Sequence, residues 1–387
     1  MNMSSARREG FALAVAIFAI VVIGGIVAGA FFASNQDYRI GRNTLLQERA
    51  LAVSEYGLNQ VINNWNALTN TTLASGATVG PTVYTLAAQG GGTTDQATVR
   101  VTRLNDLTFW VVSEGQIGTG VNTGARRRTG TVLRLYIPSI NFLGALTVRG
   151  ATRIGGSSQI RGVDADPLGW SCNTVNKDLA GVSINQIGLL STQGACAGNA
   201  CISGTPQTEQ NPQAAKDSTY FEYGGVNFDQ LAATANKRLP HGGVWNGIGP
   251  VVTGGTCAQS TMENWGDVGR NPLNPGPCEG YFPVIFFRGN SLKINGGAGQ
   301  GILLVDGDLE VTGGFLFYGP VIVTGALKTT GTGGHFNGGV MAANVDLAQN
   351  DILGNAVINY SSCAVASAAL GSTLPTPAVQ RGWSDMF

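Results

Sequence analysis

Between Phe11 and Ala33 the chain runs for 23 residues without a charge or a strongly polar side chain. As a helix rising about 1.5 Å per residue the stretch is about 34 Å long, enough to cross a hydrocarbon core of about 30 Å. Arg7 and Arg8 precede it, and no comparable basic cluster follows within the next few residues. The positive-inside rule then puts the N-terminus in the cytoplasm and the remainder outside. Three readings fit this hydropathy. A cleaved secretory signal has small-residue sites at Ala28, Ala30 and Ala33, but such signals have a shorter apolar core. A plain signal anchor fits as well. The third is a leader cut ahead of the apolar run, between Gly10 and Phe11, where polar sequence gives way to apolar.

Beyond Ala33 the pattern stays helical but becomes one-sided. Leu51, Leu58, Val61, Ile62 and Trp65 recur on one helical face, with Glu48, Arg49, Glu55 and Asn59 mostly off it. No proline occurs before Pro81, so nothing forces a break. The spacing predicts one helix of about 55 residues, membrane-bound over 11–33 and amphipathic over 34–66.

The stretch REGFALAVAIFAIVVIGGIVAGAFF, followed by QERALAVSEYGLNQVINNW, resembles the N-terminal domain of PilX-type minor pilins. It is also similar to tip-located minor pseudopilins of type II secretion. In those families an arginine–alanine–leucine run precedes an Ala-Glu-x-Gly-Leu-like element. Here the two are Arg49-Ala50-Leu51 and Ser54-Glu55-Tyr56-Gly57-Leu58. The resemblance covers about residues 5–66 and extends more weakly to about 140. It implies that residues 1–10 are a prepilin leader, removed between Gly10 and Phe11 by a prepilin peptidase, with methylation of the new terminus. It also implies that the helix, with Val15, Arg49, Glu55, Gly57 and Leu58, packs among other pilins in a type IV filament served by inner-membrane assembly machinery.

One position departs from the pattern. Major pilins carry Glu at the fifth residue after the cut, and this chain has Val15. A carboxylate in lipid is costly unless paired, and in pilins its partner is thought to be the free amine of the neighbouring subunit. A subunit without it forgoes that pair. Either it sits at or near a filament tip, or such subunits tolerate an apolar residue anywhere in the filament.

Residues 67–95 read as a Thr/Gly/Ala-rich connector. Three strand-like runs follow, Ala97 to Arg103, Leu107 to Ser113 and Arg126 to Ile137, with a tight turn at Asn105-Asp106. They predict an antiparallel meander packed on the second half of the helix, a pilin-like sheet over 67–140. Arg126-Arg127-Arg128 could meet phosphates, but no aromatics interleave with it. A solvated strand end that discourages edge pairing is the plainer reading. With 23 Lys+Arg against 23 Asp+Glu, no global field attracts nucleic acid or acidic lipid.

After Pro138 short apolar runs alternate with glycine, which at 57 residues is about twice its usual share. Val305-Asp306-Gly307-Asp308-Leu309 aligns with Val323-Thr324-Gly325-Ala326-Leu327 at a shift of 18, and Phe287-Arg288-Gly289 with Val305-Asp306-Gly307 at the same shift. Val340 to Asn344 and Ala356 to Tyr360 continue the series, and Val148-Arg149-Gly150 with Ile160-Arg161-Gly162 shows the same texture. Repeats of about 16–19 residues match short turns of a β-solenoid, which must stack to bury their faces. An irregular β-sandwich is the alternative. The fold class expected is α+β: a long N-terminal helix with a small antiparallel sheet, then a mostly β domain over 141–374 and a tail at 375–387.

Residues 164–280 interrupt the repeat and hold Cys172, Cys196, Cys201, Cys257 and Cys278, while Cys363 lies in the last strand-like turn. All six fall on the side assigned as outside, where an even number suggests disulfides. Among fifteen connectivities, the simplest pairs Cys196 with Cys201 and Cys257 with Cys278, leaving Cys172 with Cys363. Phe228 to Leu239 reads as an amphipathic helix, and Pro272, Pro275 and Pro277 mark a loop.

Chemistry-bearing patterns are scarce. There is no Cys-x-x-Cys, G-x-S-x-G, Walker A or H-E-x-x-H, and His241 and His335, the two histidines, lie far from any Cys. No enzyme activity and no cofactor are expected. Asp306 with Asp308, and Asp164 with Asp166, have a spacing that can bind Ca²⁺, against the plainer reading of outer-face carboxylates. Trp170, Trp245, Trp265 and Trp383 could contact a sugar or a surface partner, against packing under loops. The function expected is a pilin-like subunit, first in the inner membrane and then in a cell-surface filament. Its extracytoplasmic β-rich head would serve adhesion, capping or assembly priming. The alternatives are a signal-anchored solenoid that binds or degrades polysaccharide and a minor pseudopilin of a secretion system.

Overall fold

The computed structural model describes residues 9–65, 70, 73–87, 94–118, 124–172, 177–240, 243–271, 273–345, 348–377 and 383–386. The fold class is α+β, and the chain divides into two compact units. One comprises residues 1–65, 73–134 and 376–387, and the other 66–72 and 135–375.

The first unit is built on α1 (Glu9–Asn63), a single helix of 55 residues. Its second half packs on an antiparallel sheet of β1 (Thr78–Ala87), β2 (Thr94–Asn105), β3 (Thr108–Ile117) and β4 (Ala125–Tyr136) in that spatial order. The alternation of β3 makes this contact: Phe109, Val111 and Ser113 are fully buried while Trp110 and Val112 are only half-buried. The Asn105-Asp106 turn is present, with the Leu107 amide donating to Asn105 Oδ1 at 3.0 Å. Two expectations are corrected. The Thr-rich connector supplies β1, because its threonines, valine and tyrosine suit a pleated surface. The arginine run is not a free strand edge: β4 lies between β3 and the strand Trp383–Met386, with Met386 opposite Arg128. Arg126 and Arg128 both reach Glu114 on β3, at 3.7 and 2.6 Å.

The second unit is a parallel β-solenoid whose turns have three sides. In one turn the inward pairs are Leu303 and Val305, Leu309 and Val311, then Phe315 and Phe317, all within one apolar bore. Gly307 makes a corner with φ of 141°, a conformation that favours glycine, and a Cβ there would overlap the Gly289 carbonyl.

Parallel register gives the stacking order. Lys237 lies beside Ile285, Ile285 beside Leu303, Leu303 beside Val321 and Val321 beside Val340. Val340 lies beside Leu146, Leu146 beside Val182 and Val182 beside Thr208. The chain therefore starts in mid-stack near Leu146, winds to one end at Thr208, crosses to the other end at Lys237, and winds back until Val340 meets Leu146. The crossing segment, residues 211–236, carries α2 (Asp217–Phe221) and α3 (Phe228–Ala233). Its Tyr220, Tyr223, Phe228 and Leu231 cover the outward Val284, Phe286, Ile302, Leu304, Ile322 and Met341, together with Ala368 of α4 (Ser362–Gly371). Runs such as Val284–Phe287 are thus buried on both faces, which explains their continuous apolar character.

The stretch 164–280, read as an interruption, also supplies solenoid strands at Ala180–Ile184, Leu190–Thr192, Thr208–Gln210 and Lys237–Leu239. The helix expected from Phe228 to Leu239 stops at Ala233. A reciprocal capping box between Asn227 and Gln230 starts it, and residues 237–239 join the stack as a strand.

Candidate functional site

Among the described residues, the apolar half of α1 makes no buried contact. Leu13, Phe18, Ile20 and Ile26 are each about two-thirds exposed, and none of its apolar window is buried. Val15 is exposed as well. Gly10 and Phe11 fall within α1, and residues 1–8 lie outside the described residues.

The other half is a docking face of small residues. Ala50, Val53, Ser54, Gly57, Leu58 and Val61 are buried, whereas Leu51 is only half-buried. A Cβ on Gly57 would lie 2.5 Å from Ser113 Oγ and 2.7 Å from Ala97 Cβ. One on Gly115 would overlap the Ala50 carbonyl. The helix therefore lies nearly backbone-to-backbone on the sheet. Ser54 Oγ donates to the Ser113 carbonyl at 2.7 Å and accepts from the Thr129 amide at 3.1 Å. Arg49 pairs with Asp95 at 2.7 Å, and Asp95 Oδ1 accepts the Gly118 amide at 3.2 Å. Trp65 closes the contact edge-on to Phe109 at 5.0 Å, a pair worth about 0.5–1.5 kcal/mol beyond its area. Of the helix residues singled out in the sequence, Arg49, Gly57 and Leu58 face the chain's own sheet, and Glu55 and Val15 face outward. Ala50 and Ser54 stand in the motif but were given no role of their own, and Asp95 was not singled out. A hydropathy pattern weights large apolar side chains, while close approach selects small ones.

The solenoid's three disulfides stand where stacking is interrupted. Cys196–Cys201 sits at the Thr208 end, with Cys196 buried in the bore. Cys257–Cys278 ties the loop that closes the Lys237 end. There Trp265 is fully buried, its ring 6.0 Å from Phe315 and 6.5 Å from Phe317. Lys237, 1% exposed, holds the same loop: its Nζ donates to the carbonyls of Gln259 and Thr261, each at 2.5 Å. Burial pushes its ammonium below the ordinary value, and Glu263 opposes that shift. Cys172–Cys363 lies at the third interruption, where the last turn meets the first.

The remaining candidates are occupied within the chain. Arg288 binds Asp306 at 2.6 Å and Lys328 binds Asp308 at 2.9 Å. Asp164 accepts the amides of Lys177 and Ser362, at 3.0 and 2.9 Å. Asp166 accepts the Cys172 amide at 3.2 Å, and although it neighbours Cys172 and Cys363, those sulfurs are bonded to each other. Trp170 stacks under Arg270 at 4.2 Å and donates to the Val268 carbonyl, and Trp245 packs against the bore. His335 is half-buried on a strand. His241 and the side chain of Trp383 lie outside the described residues.

No family model matches the chain, and no curated protein matches it. Among solved structures it is similar to the competence-associated pilin ComZ from Thermus thermophilus, at 12% identity and a TM-score of 0.24, over 88% of this chain and 97% of that one. A likeness of that degree leaves the functional reading to rest on the helix and its docking face.

Proposed function

We propose that this chain is a pilin-like subunit that enters a type IV filament through α1 and displays the solenoid outside the cell. The observation that carries the reading is the division of one unbroken 55-residue helix. One half is apolar and exposed, and the other is fixed to its own sheet by small residues. A plain membrane anchor needs about 20 apolar residues and gains nothing from continuing rigidly into a folded domain. A filament subunit needs both, because the apolar half must pass from lipid to a bundle of like helices while staying continuous with the half docked on its own sheet. Val15 lets that half enter the bundle without a buried carboxylate and suits a place at or near the tip. In this reading residues 1–10 are a leader cut ahead of Phe11, the peptidase is the enzyme, and this chain is its substrate. The head's role is adhesion, capping or assembly priming.

Replacing Gly10 with Val tests the reading. The variant precursor stays uncut, larger by the leader, and is missing from sheared surface filaments. A variant whose size and surface filaments match the wild type would contradict it.

A further inference from the structure

Among the described strands, the seam between the last and first turns is the stacking interface that joins the turns farthest apart in sequence, Val340 lying beside Leu146. Residues 340–342, 350–352 and 357–359 lie in parallel beside 146–148, 152–154 and 159–161. Asn350 Nδ2 donates to Thr152 Oγ1 at 3.1 Å inside the seam, and Arg153 meets Asp351 at 2.9 Å at its surface. Asp164 Oδ1 accepts the amide of Ser362 at 2.9 Å just beyond it. Two arms meet here, residues 144–210 and 237–360. They are joined covalently by the crossing segment 211–236 and by Cys172–Cys363. The other two disulfides each close within one arm.

We propose that the seam is a latch at which the head opens as a unit, the arms parting while each stays wound, with Cys172–Cys363 as its covalent lock. Stacked turns contact only their neighbours, so stability is a sum of neighbouring interfaces. At every other interface among the described strands the connection is shorter, from 18 residues between Ile285 and Leu303 to 48 between Lys237 and Ile285, and keeps two parted turns closer together, which favours reclosure. At the seam the connection is a whole arm, and reclosure is slowest and most costly in entropy. The crosslink spans 191 residues there, against 5 and 21 for the other two disulfides, so it restrains the open state most. A dithiol reductant releases the lock in two exchanges. Its thiolate attacks one sulfur and displaces the other as a thiolate. Its second thiol then resolves the mixed disulfide, leaving Cys172 and Cys363 as thiols and the reductant as its own disulfide.

Two measurements on the full chain in detergent micelles test this. Hydrogen exchange of a C172S/C363S variant should be about tenfold or more faster at 146–154 and 350–359, with residues 302–323 as protected as in the wild type. Equal protection at the seam in both proteins, or loss of protection throughout the solenoid, would overturn the proposal. If that variant does not fold, the oxidised protein treated with limiting dithiol and then an alkylating reagent serves instead. Labelling of Cys172 and Cys363 should raise exchange at 146–154 and 350–359 as the substitutions do. Labelled protein whose seam stays as protected as in the untreated protein would equally refute the latch.

Discussion

Arg153 and Asp351, 198 residues apart in sequence, form an ion pair at 2.9 Å. They close a ladder of alternating charge on one side of the solenoid, Lys293, Glu310, Lys328, Asp351 and Arg153, one residue from each successive turn. The sign of each rung suits its neighbours, and the alternation continues across the seam. Asp351→Lys would set three cations in a row. Cross-strand pairs are each worth about 0.2–1 kcal/mol and like charges oppose folding, so a loss of about 1–2 kcal/mol is expected. Its dependence on salt follows from the partial exposure of these groups. Thermal unfolding at low and high ionic strength checks this, and an unchanged midpoint at low salt would count against the ladder.

The docking of α1 gives a second expectation. Ser54→Ala removes the hydroxyl that bonds the Ser113 carbonyl, the Thr129 amide and Thr129 Oγ1, at a cost of about 1–3 kcal/mol. Gly115→Ala does more, since its methyl meets the Ala50 carbonyl and neither backbone can yield. Trp65, edge-on to Phe109, is the natural probe of a helix lifting from its sheet. Fluorescence and denaturant unfolding of Gly115→Ala should report a helix that remains formed but undocked.

Lys237→Met removes the donor shared by Gln259 and Thr261. We expect a loss of about 1–3 kcal/mol and faster proteolysis within residues 258–263. The wild-type lysine also has a pH signature. Its folded-state value lies below the ordinary 10.5, so its burial cost is present at neutral pH. That cost is relieved as pH rises from the depressed value toward 10.5, and stability from this site rises with it. The variant should lack that rise.

Tyrosines act in the opposite sense at higher pH. Burial holds Tyr220, Tyr223 and Tyr281 above their ordinary value, and Tyr360 is pushed up to about 12 by burial first and Asp164 second. A folded-state value above the unfolded one contributes stability that is complete below pH 10 and is lost as pH climbs through the folded value. Alkaline unfolding should begin above pH 10, with tyrosinate absorbance appearing together with loss of structure. Ionisation of all tyrosines near pH 10 without unfolding would show that these phenols are not buried.

Much of this was legible beforehand because it is local. The 18-residue repeat shows in Phe287-Arg288-Gly289 and Val305-Asp306-Gly307, since adjacent turns place like residues in like positions. The winding order was not legible, because nothing in the text of Val340 and Leu146 says that they touch. Cys172 and Cys363 gave the one hint, as the cysteines left over when the local pairs are made. The docking face of α1 was read from Leu51, Leu58, Val61, Ile62 and Trp65; Leu58 and Val61 are buried in the contact and Trp65 meets Phe109, while Ala50 and Ser54 complete it unread, since small residues carry little hydropathy. Asp306 and Asp308 look like metal ligands in sequence because the cations that bind them, Arg288 and Lys328, come from neighbouring turns.

The most direct measurement is the N-terminal mass of this protein recovered from filaments sheared off the cell surface. A chain beginning at Phe11 and present in those filaments is the predicted result. A chain that keeps residues 1–10 and is found solely in the membrane fraction would contradict the account.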